Sequence, residues 1–470
     1  MITNVVKSER INRNSKRVDG KFFLNQDSLN SAVLEDNREK CAQLLEIATV
    51  FNPPVFKRQF CQKTERSVMY FQSSDVPSLS ERSSVFINKK QAQSLNTLVH
   101  ENQILVTGFG TVGNVRLVSK LQEDVCYANN VCRITVKEGN LYGYIYAFMA
   151  SKYGKSQLNK NASGSVVRYI EAPGIKTTLI QIFPESQQKE IHNLIVEAAN
   201  LRVEANRLLE EAQTNLKDYT NLPVLKTESY DYYGARSSER QVSCFTKNIN
   251  QIDSTTINAF NYSSRIEVTK QLIRKVCSIL PLSDVLEDEN LFSTGSFPRI
   301  AVDSDKGIML INQKDIFDTI IKGKRISRRK VKTDNLVEYG EVLIAGVGTL
   351  GENETFCRAI FASEELKGQL VSGEFIRMKT KEKYPSGYLF AWLSSDYGFR
   401  LIRNTQTGTK LCRPIQRLLL QIPIPILSDD KMIEIDSLVK KAHTFYHNAN
   451  IKETQAIQLI EKEIESWQRS

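Results

Sequence analysis

Two stretches of the chain carry apolar residues at the alternating 3,4 spacing of a long amphipathic helix. After Pro184, the residues Ile191, Leu194, Ala198, Leu201, Ala205, Leu208 and Ala212 keep that spacing over about three heptads. After Pro425, Ile435, Leu438, Ala442, Phe445 and Ala449 repeat it, and the register then slips by one to resume at Ile457, Ile460, Ile464 and Trp467. Roughly 30 helical residues rising about 1.5 Å each would make a rod of about 45 Å. A rod with one narrow apolar stripe needs a partner, and each stretch predicts the other as that partner. Elsewhere the pattern is one of short apolar runs closed by glycines. Ile104-Leu105-Val106 and Val342-Leu343-Ile344 predict strands ending in tight turns. The aromatic-rich stretches 142–149 and 388–393 fit either helix or strand.

The strands and helices recur. Ile104 to Asn114 (ILVTGFGTVGN) matches Val342 to Glu352 (VLIAGVGTLGE), with Gly110-Thr111 answering Gly348-Thr349. Upstream, Met69 to Val76 matches Met309 to Ile316; downstream, Ser151-Lys152-Tyr153-Gly154 matches Ser395-Asp396-Tyr397-Gly398. Ser163-Gly164-Ser165 then matches Thr407-Gly408-Thr409, and Leu179 to Pro184 matches Leu419 to Ile424. Blocks that keep one order at a spacing near 240 residues describe two copies of one mixed α/β unit. A repeat this long excludes solenoids, whose units are short and cannot bury a core alone.

Composition adds less. The 470 residues are 41% hydrophobic and 25% charged, ordinary globular usage, which excludes wholesale disorder. No apolar run is long enough to cross a bilayer. The basic N-terminus is followed by no apolar core of a signal peptide, so a cytoplasmic protein without a membrane partner is expected. Eight cysteines at irregular spacings make no disulfide framework or metal pair. A net charge of +10 hints at a polyanionic partner.

Three motifs suggest catalysis or metal binding and fall short. Gly108 to Gly113 and Gly346 to Gly351 both fit G-x-G-x-x-G, but the residues after each read as a further strand rather than the helix a dinucleotide site needs. Asn52-Pro53-Pro54-Val55 is similar to the N-P-P-aromatic tetrad of adenine-N6 methyltransferases. Its aromatic is replaced by Val55, and no second copy or upstream cofactor loop exists, so a rigid turn is expected. His443 and His447 have metal-ligand spacing on a helix but no third ligand in view. With four histidines and no nucleophile motif or phosphate loop, no catalytic residue, cofactor or metal is expected.

Charge is concentrated in one place. Lys322 to Lys332 carries Lys322, Lys324, Arg325, Arg328, Arg329, Lys330 and Lys332, seven basic residues in eleven. The repeat offset places Arg329-Lys330 on Lys89-Lys90, with Arg82 preceding them in the first copy. A charge run is often only a solvated face, but its recurrence ahead of both glycine turns predicts contact with nucleic acid, phosphates above all. Thr111 and Thr349 in the turns, with Ser163, Ser165, Thr407 and Thr409, are weaker candidates.

This arrangement resembles the specificity subunits of type I restriction–modification systems. The resemblance rests on the strand–glycine turn Leu105 to Gly113 and its copy Leu343 to Gly351. It rests also on Ser163-Gly164-Ser165 followed by Gln181 to Ile191, similar to the family's exit into a long helix. The second copy keeps Gly408-Thr409 and Ile422-Pro423-Ile424-Pro425 but has Asp430-Lys431-Met432 in place of the glutamine pair, and the first ~45 residues depart from the usual family start. The resemblance implies an α+β chain of two homologous α/β target-recognition domains, each followed by a long helix, the two helices pairing as an antiparallel coiled coil. The domain boundaries are then 1–184, 185–220, 221–427 and 428–470. It implies recognition of a bipartite double-stranded DNA target, one half by each domain, with the helix pair as spacer. Two adenine-N6 methyltransferase (modification) subunits and a restriction/translocase subunit would be the partners and carry the catalysis. The alternative is a non-catalytic DNA-binding adaptor of another phage-defence system. A nucleotide-using enzyme is disfavoured by the missing helix, and a coiled-coil scaffold by the two large globules.

Overall fold

A computed structural model of the chain describes residues 6, 8–13, 18, 20–164, 166–225, 245–303, 307–329 and 331–467. The chain divides into two compact units, the first formed by 1–203 with 448–470 and the second by 204–447. Each unit therefore contains a globule and a segment of each long helix.

In the first unit a helix α1 (Gln26–Asp36) precedes β1 (Cys41–Gln43), β2 (Ala48–Phe51), β3 (Phe60–Cys61), β4 (Ser67–Phe71) and β5 (Phe86–Asn88). Then come α2 (Lys89–Ser94), β6 (Ile104–Thr107), β7 (Val115–Leu117), β8 (Cys126–Tyr127), β9 (Val131–Val136), α3 (Tyr142–Ala150), α4 (Lys152–Asn161) and β10 (Leu179–Gln181). The long helices are α5 (Glu185–Thr220) and, at the C-terminus, α8 (Asp429–Ser466). One sheet has the order β2-β9-β6-β7 and is wholly antiparallel; another has the order β3-β5-β4-β8, with β4 and β8 parallel. The third is the pair β1-β10.

The second unit repeats this plan. Its strands are β11 (Ser278–Pro281), β12 (Ile308–Ile311), β13 (Lys324–Ile326), β14 (Val342–Ala345), β15 (Ala359–Phe361), β16 (Leu370–Val371) and β17 (Phe375–Met378). Helices α6 (Ser386–Ser394) and α7 (Asp396–Asn404), a two-residue pair β18 (Gln406–Thr407) and β19 (Arg413–Pro414), and β20 (Pro423–Ile426) follow. Sheets β15-β14-β17, β13-β12-β16 and β11-β20 correspond to those of the first unit, including the parallel pairing of β12 with β16, but the counterparts of β2 and β3 are reduced to isolated bridges, of Phe292 with Arg377 and of Ala301 with Ile326.

The repeated residues hold equivalent structural posts. Ser151 and Ser395 are the N-caps of α4 and α7, each hydroxyl accepting from the glycine N–H three residues on, Gly154 at 3.3 Å and Gly398 at 3.1 Å. The aromatic stretches open to either reading are helices α3 and α6. They are buried nearly all round because each lies between a sheet and the long helices. Tyr144 donates to the Gln181 carbonyl at 2.6 Å and Tyr388 to the Pro425 carbonyl at 2.8 Å. That equivalence corrects the sequence alignment of the last block. Leu419-Leu420 end a short helix, Gln416–Leu420, and the strand matching Leu179–Gln181 begins at Pro423, about one helical turn later.

Both long helices meet the globule through a glycine. The Gly143 N–H donates to Nδ1 of His192 on α5 at 3.1 Å, and the Gly387 N–H to Oδ1 of Asp436 on α8 at 2.8 Å. A Cβ at Gly387 would stand 2.7 Å from that oxygen and 3.0 Å from the Asp436 backbone. Gly387→Ala should therefore prise α6 from α8 and cost about 1–3 kcal/mol, measured as a lowered unfolding midpoint; an unchanged midpoint would refute the close packing.

Within the first unit the helix segments run antiparallel. Ile191 and Ile195 share a core with Ala456, Ile460 and Ile464, while Arg202 meets Asn450 and Glu453. In the second unit Ala212 and Leu216 share a core with Met432, Ile435 and Val439, and Asn215 and Tyr219 both donate to Glu434. The buried stripe is not quite the 3,4 seam read from the sequence. On α5 it comprises Ile191, Ile195, Ala198, Ala205, Leu208, Ala212 and Leu216; Leu194 and Leu201 are half-buried beside it. On α8 it runs Met432, Ile435, Val439, Ala442, Tyr446, Ala449, Glu453, Ala456, Ile460 and Ile464, with Leu438, Phe445 and Ile457 half-buried. The one-residue slip expected after Ala449 does not occur, because the stripe passes through a buried glutamate. The face is broader than a two-helix seam because α3 and α6 pack on it as well.

Candidate nucleic-acid interface

Strand β13 is anchored by Ile326, 2% exposed, opposite Ile308 on β12. The alternation of a strand then turns Arg325 outward, and Lys324 is exposed as well. Arg325 donates to the Gly307 carbonyl at 3.0 Å. On its other side β13 bonds to 300–302, through Val302 N–H to Arg325 O and Ser327 N–H to Ile300 O, which brings the exposed Arg299 to the same sheet edge. Lys322, Arg328, Arg329 and Lys332 are likewise exposed or half-exposed, and Lys330 lies outside the described residues.

The first unit builds the same edge. Ile87 on β5, fully buried, sits opposite Val68 and is followed by the exposed Lys89 and Lys90, which open α2. The Lys89 N–H donates to the Arg66 carbonyl at 2.9 Å. Gln91 accepts from Gln59 N–H at 3.1 Å and donates to the Lys57 carbonyl at 2.8 Å, so Lys57, Arg58 and Arg66 join the lysines; Arg82 is exposed as well. Since Ile87 and Ile326 face equivalent partners, Lys89-Lys90 correspond to Arg328-Arg329, one residue from where the sequence offset put them. A slip of one would turn the buried isoleucine out to solvent.

The glycine turns are strand-to-strand. Leu105 pairs with Arg116 across the first and Leu343 with Ile360 across the second, so neither strand runs on into a helix and the dinucleotide reading has no support. A Cβ at Gly108 would lie 2.7 Å from the Ile170 carbonyl, and one at Gly346 would lie 2.6 Å from that of Glu374; glycine is required by this close approach. Thr111 and Thr349 are exposed at the turn tips. The segment carrying Ser163 and its counterpart carrying Thr407 and Thr409 are small hairpins docked on these turns. Gly110 N–H donates to Arg168 O at 3.1 Å, and Gly348 exchanges two bonds with Cys412. Ser165 lies outside the described residues. Asn52 is structural: its Oδ1 accepts from Ala172 N–H at 2.8 Å at the foot of the first hairpin, and Val55 is exposed.

Part of the positive charge is internal, a division that residue type alone does not reveal. Arg133 on β9 and Arg377 on β17 are buried at equivalent posts. Arg133 donates to the carbonyls of Thr97, Tyr127 and Ala128 at 2.8 to 3.0 Å, and burial pushes its pKa down to about 10. Arg377 forks onto Glu341 at 2.8 and 2.7 Å and donates to the carbonyls of Asn335 and Leu336. Arg116 pairs with buried Glu81 at 3.2 Å. The helix pair holds another such group. Glu453, 2% exposed, lies 2.5 Å from Arg202 and accepts from the Tyr146 hydroxyl at 2.7 Å. In the second unit Leu209, Tyr446 and Phe390 occupy the equivalent places.

His443 and His447 face different surroundings. His443 is packed among Phe361, Phe390 and Tyr446, and burial lowers its pKa to about 4, whereas His447 pairs with Glu365 at 2.8 Å. Among the described residues, His100, Glu123 and Asp124 could converge on a cation. All three are exposed, and the Glu123 oxygens are already used by His100 and the Glu101 N–H, a pairing that holds the Glu123 pKa below its usual value.

No family model and no curated protein sequence matches the chain. Solved structures similar to it include a type I restriction–modification S subunit from M. genitalium, at 12% identity and a TM-score of 0.34, covering 91% of this chain and 92% of that one. Another is the HsdS subunit from Thermoanaerobacter tengcongensis, at 12% identity and a TM-score of 0.26, covering 90% and 95%. A third comes from a study of complex assembly and conformational transition in the type I R-M system, at 12% identity and a TM-score of 0.27, covering 91% and 96%. No helix among the described residues is long and apolar enough to cross a membrane.

Proposed function

We propose that this chain is the DNA-specificity subunit of a type I restriction–modification system, itself non-catalytic and acting in the cytoplasm. The observation that carries this reading is the basic sheet edge present at the same place in two homologous units. Lys57, Arg58, Arg66, Lys89 and Lys90 line one, and Arg299, Lys322, Lys324, Arg325, Arg328, Arg329 and Lys332 line the other. Exposed guanidinium and ammonium groups along a strand suit a phosphate backbone, and duplication suits a target read in two halves. The long helices then set the spacing between half-sites and dock two modification subunits, which with a restriction subunit supply methyl transfer and cleavage. An adaptor of another phage-defence system would use the same edges with other partners.

Replacing Arg325, Arg328 and Arg329 by alanine together removes up to three phosphate contacts. Titration with duplex DNA at several salt concentrations should show weaker binding and a log–log salt slope shallower by about 3. Unchanged affinity and slope would remove the edge from the interface.

A further inference from the structure

The docked hairpins occupy the same framework position in both units but present different side chains. In the first, Val166 is 94% exposed and Val167 59%, and Tyr169 stacks on Phe109 of the glycine turn with ring centroids 5.6 Å apart, both residues 40% exposed. Arg168, also exposed, turns its guanidinium onto the Asn159 carbonyl. Large apolar side chains are seldom left this open in a cluster. In the second unit the corresponding positions are Lys410, Leu411 and Arg413, all exposed, with Val347 half-buried in place of Phe109; residues 405–417 contain no acidic side chain.

The backbone beneath is shared. Gly164 and Gly408 both take positive φ, at 90° and 102°, to turn the hairpins, and each hairpin bonds to the central glycine of its turn. A common scaffold with exchanged side chains at its exposed end is what two readers of different sequences require. The first hairpin is tied to the basic edge of its unit by a short stretch of chain. Asn52, bonded to Ala172 at the hairpin foot, is seven residues from Gln59, bonded to Gln91 of α2. Seven residues span at most about 25 Å, comparable to about seven base pairs at ~3.4 Å each.

Resting on the function proposed above, we infer that these hairpin tips are the base-contacting elements. Phe109, Val166, Val167 and Tyr169 form an apolar reader suited to thymine methyl groups, and Lys410 and Arg413 a basic reader suited to guanine O6 and N7. The two half-sites then differ in composition, thymine-bearing on one side and guanine-bearing on the other.

The test is selection from randomised duplex DNA by the full-length chain, wild type against K410A/R413A, V166S/Y169A and the exchange V166K/Y169R. The K410A/R413A variant should lower guanine preference about 5- to 150-fold in one half-site and leave the other intact. V166S/Y169A should relax only the other half-site, V166K/Y169R should shift that half-site towards guanine, and Y169F should retain the wild-type preference. Circular dichroism identifies any variant that fails to fold, and V166K alone, at a residue 94% exposed, keeps the first tip testable in that event because it too should shift that half-site towards guanine. Base preferences unchanged in all folded variants, while R325A/R328A/R329A still weakens binding, would overturn the hairpin assignment alone. A wild-type chain with no sequence preference would overturn the proposed function with it. Tip variants that keep their DNA preference but lose a protein subunit would make the tips a protein-docking surface and refute base contact.

Discussion

Glu453→Ala should destabilise the first unit by about 3–5 kcal/mol, because it leaves the Arg202 guanidinium in the helix interface without its carboxylate. The pair is 2.5 Å apart with side-chain exposures of 14% and 2%, and Tyr146 completes it through its hydroxyl. Removing both charges is a different experiment. Arg202→Met with Glu453→Met, and Tyr146→Phe to avoid a stranded hydroxyl, should restore most of the loss. Replacing a complete buried ion pair by apolar groups is often neutral or better, and the second unit already manages with Leu209, Tyr446 and Phe390. Hydrogen exchange resolved along the chain would show the single substitution lowering protection in the first unit. A loss below about 1 kcal/mol for Glu453→Ala would mean the carboxylate is not the interior group described.

Arg377→Ala should have a comparable effect in the second unit, again about 3–5 kcal/mol. Arg377 and Glu341 are each 1% exposed, and the arginine also satisfies the carbonyls of Asn335 and Leu336 ahead of β14. Its loss strands a carboxylate and two carbonyls together. The equivalent Arg133→Ala should cost less, since that arginine has only carbonyl partners among its hydrogen bonds and strands no charge. Chemical denaturation of the two variants orders them directly, and a larger cost at Arg133 would contradict this ranking.

The repeat was readable because its signals are local: an N-capping serine with a glycine three residues on, a strand closed by glycines, and a long helix with 3,4 spacing. The seam was readable in outline but not in detail. Glu453 and Arg202 look like interruptions of an apolar stripe until they are seen to neutralise each other, and Ile195 and Val439 displace Leu194 and Leu438 inward because α3 and α6 share the face. The basic run at 322–332 stood out by density, whereas Lys57, Arg58 and Arg66 are gathered only by the pairing of β3, β4 and β5 and by the side chain of Gln91. Nothing in a sequence separates Arg133 and Arg377 from surface arginines, since their burial is a tertiary fact. The hairpins showed in the sequence only through Ser163, Ser165, Thr407 and Thr409; the apolar cluster escaped because Phe109 and Tyr169 lie sixty residues apart and stack only once the hairpin docks on the turn.

In the function proposed above, two homologous units read two halves of one DNA site at a spacing set by the long helices. Selection of bound sequences from randomised duplex DNA decides this, using the wild-type chain and a variant with roughly one extra helical turn inserted after Pro184. Two short half-sites separated by a spacer of fixed length and no sequence preference are expected, with the insertion altering the spacer and leaving both half-sites unchanged. A single contiguous motif, or half-sites whose sequence changes with the insertion, would contradict it.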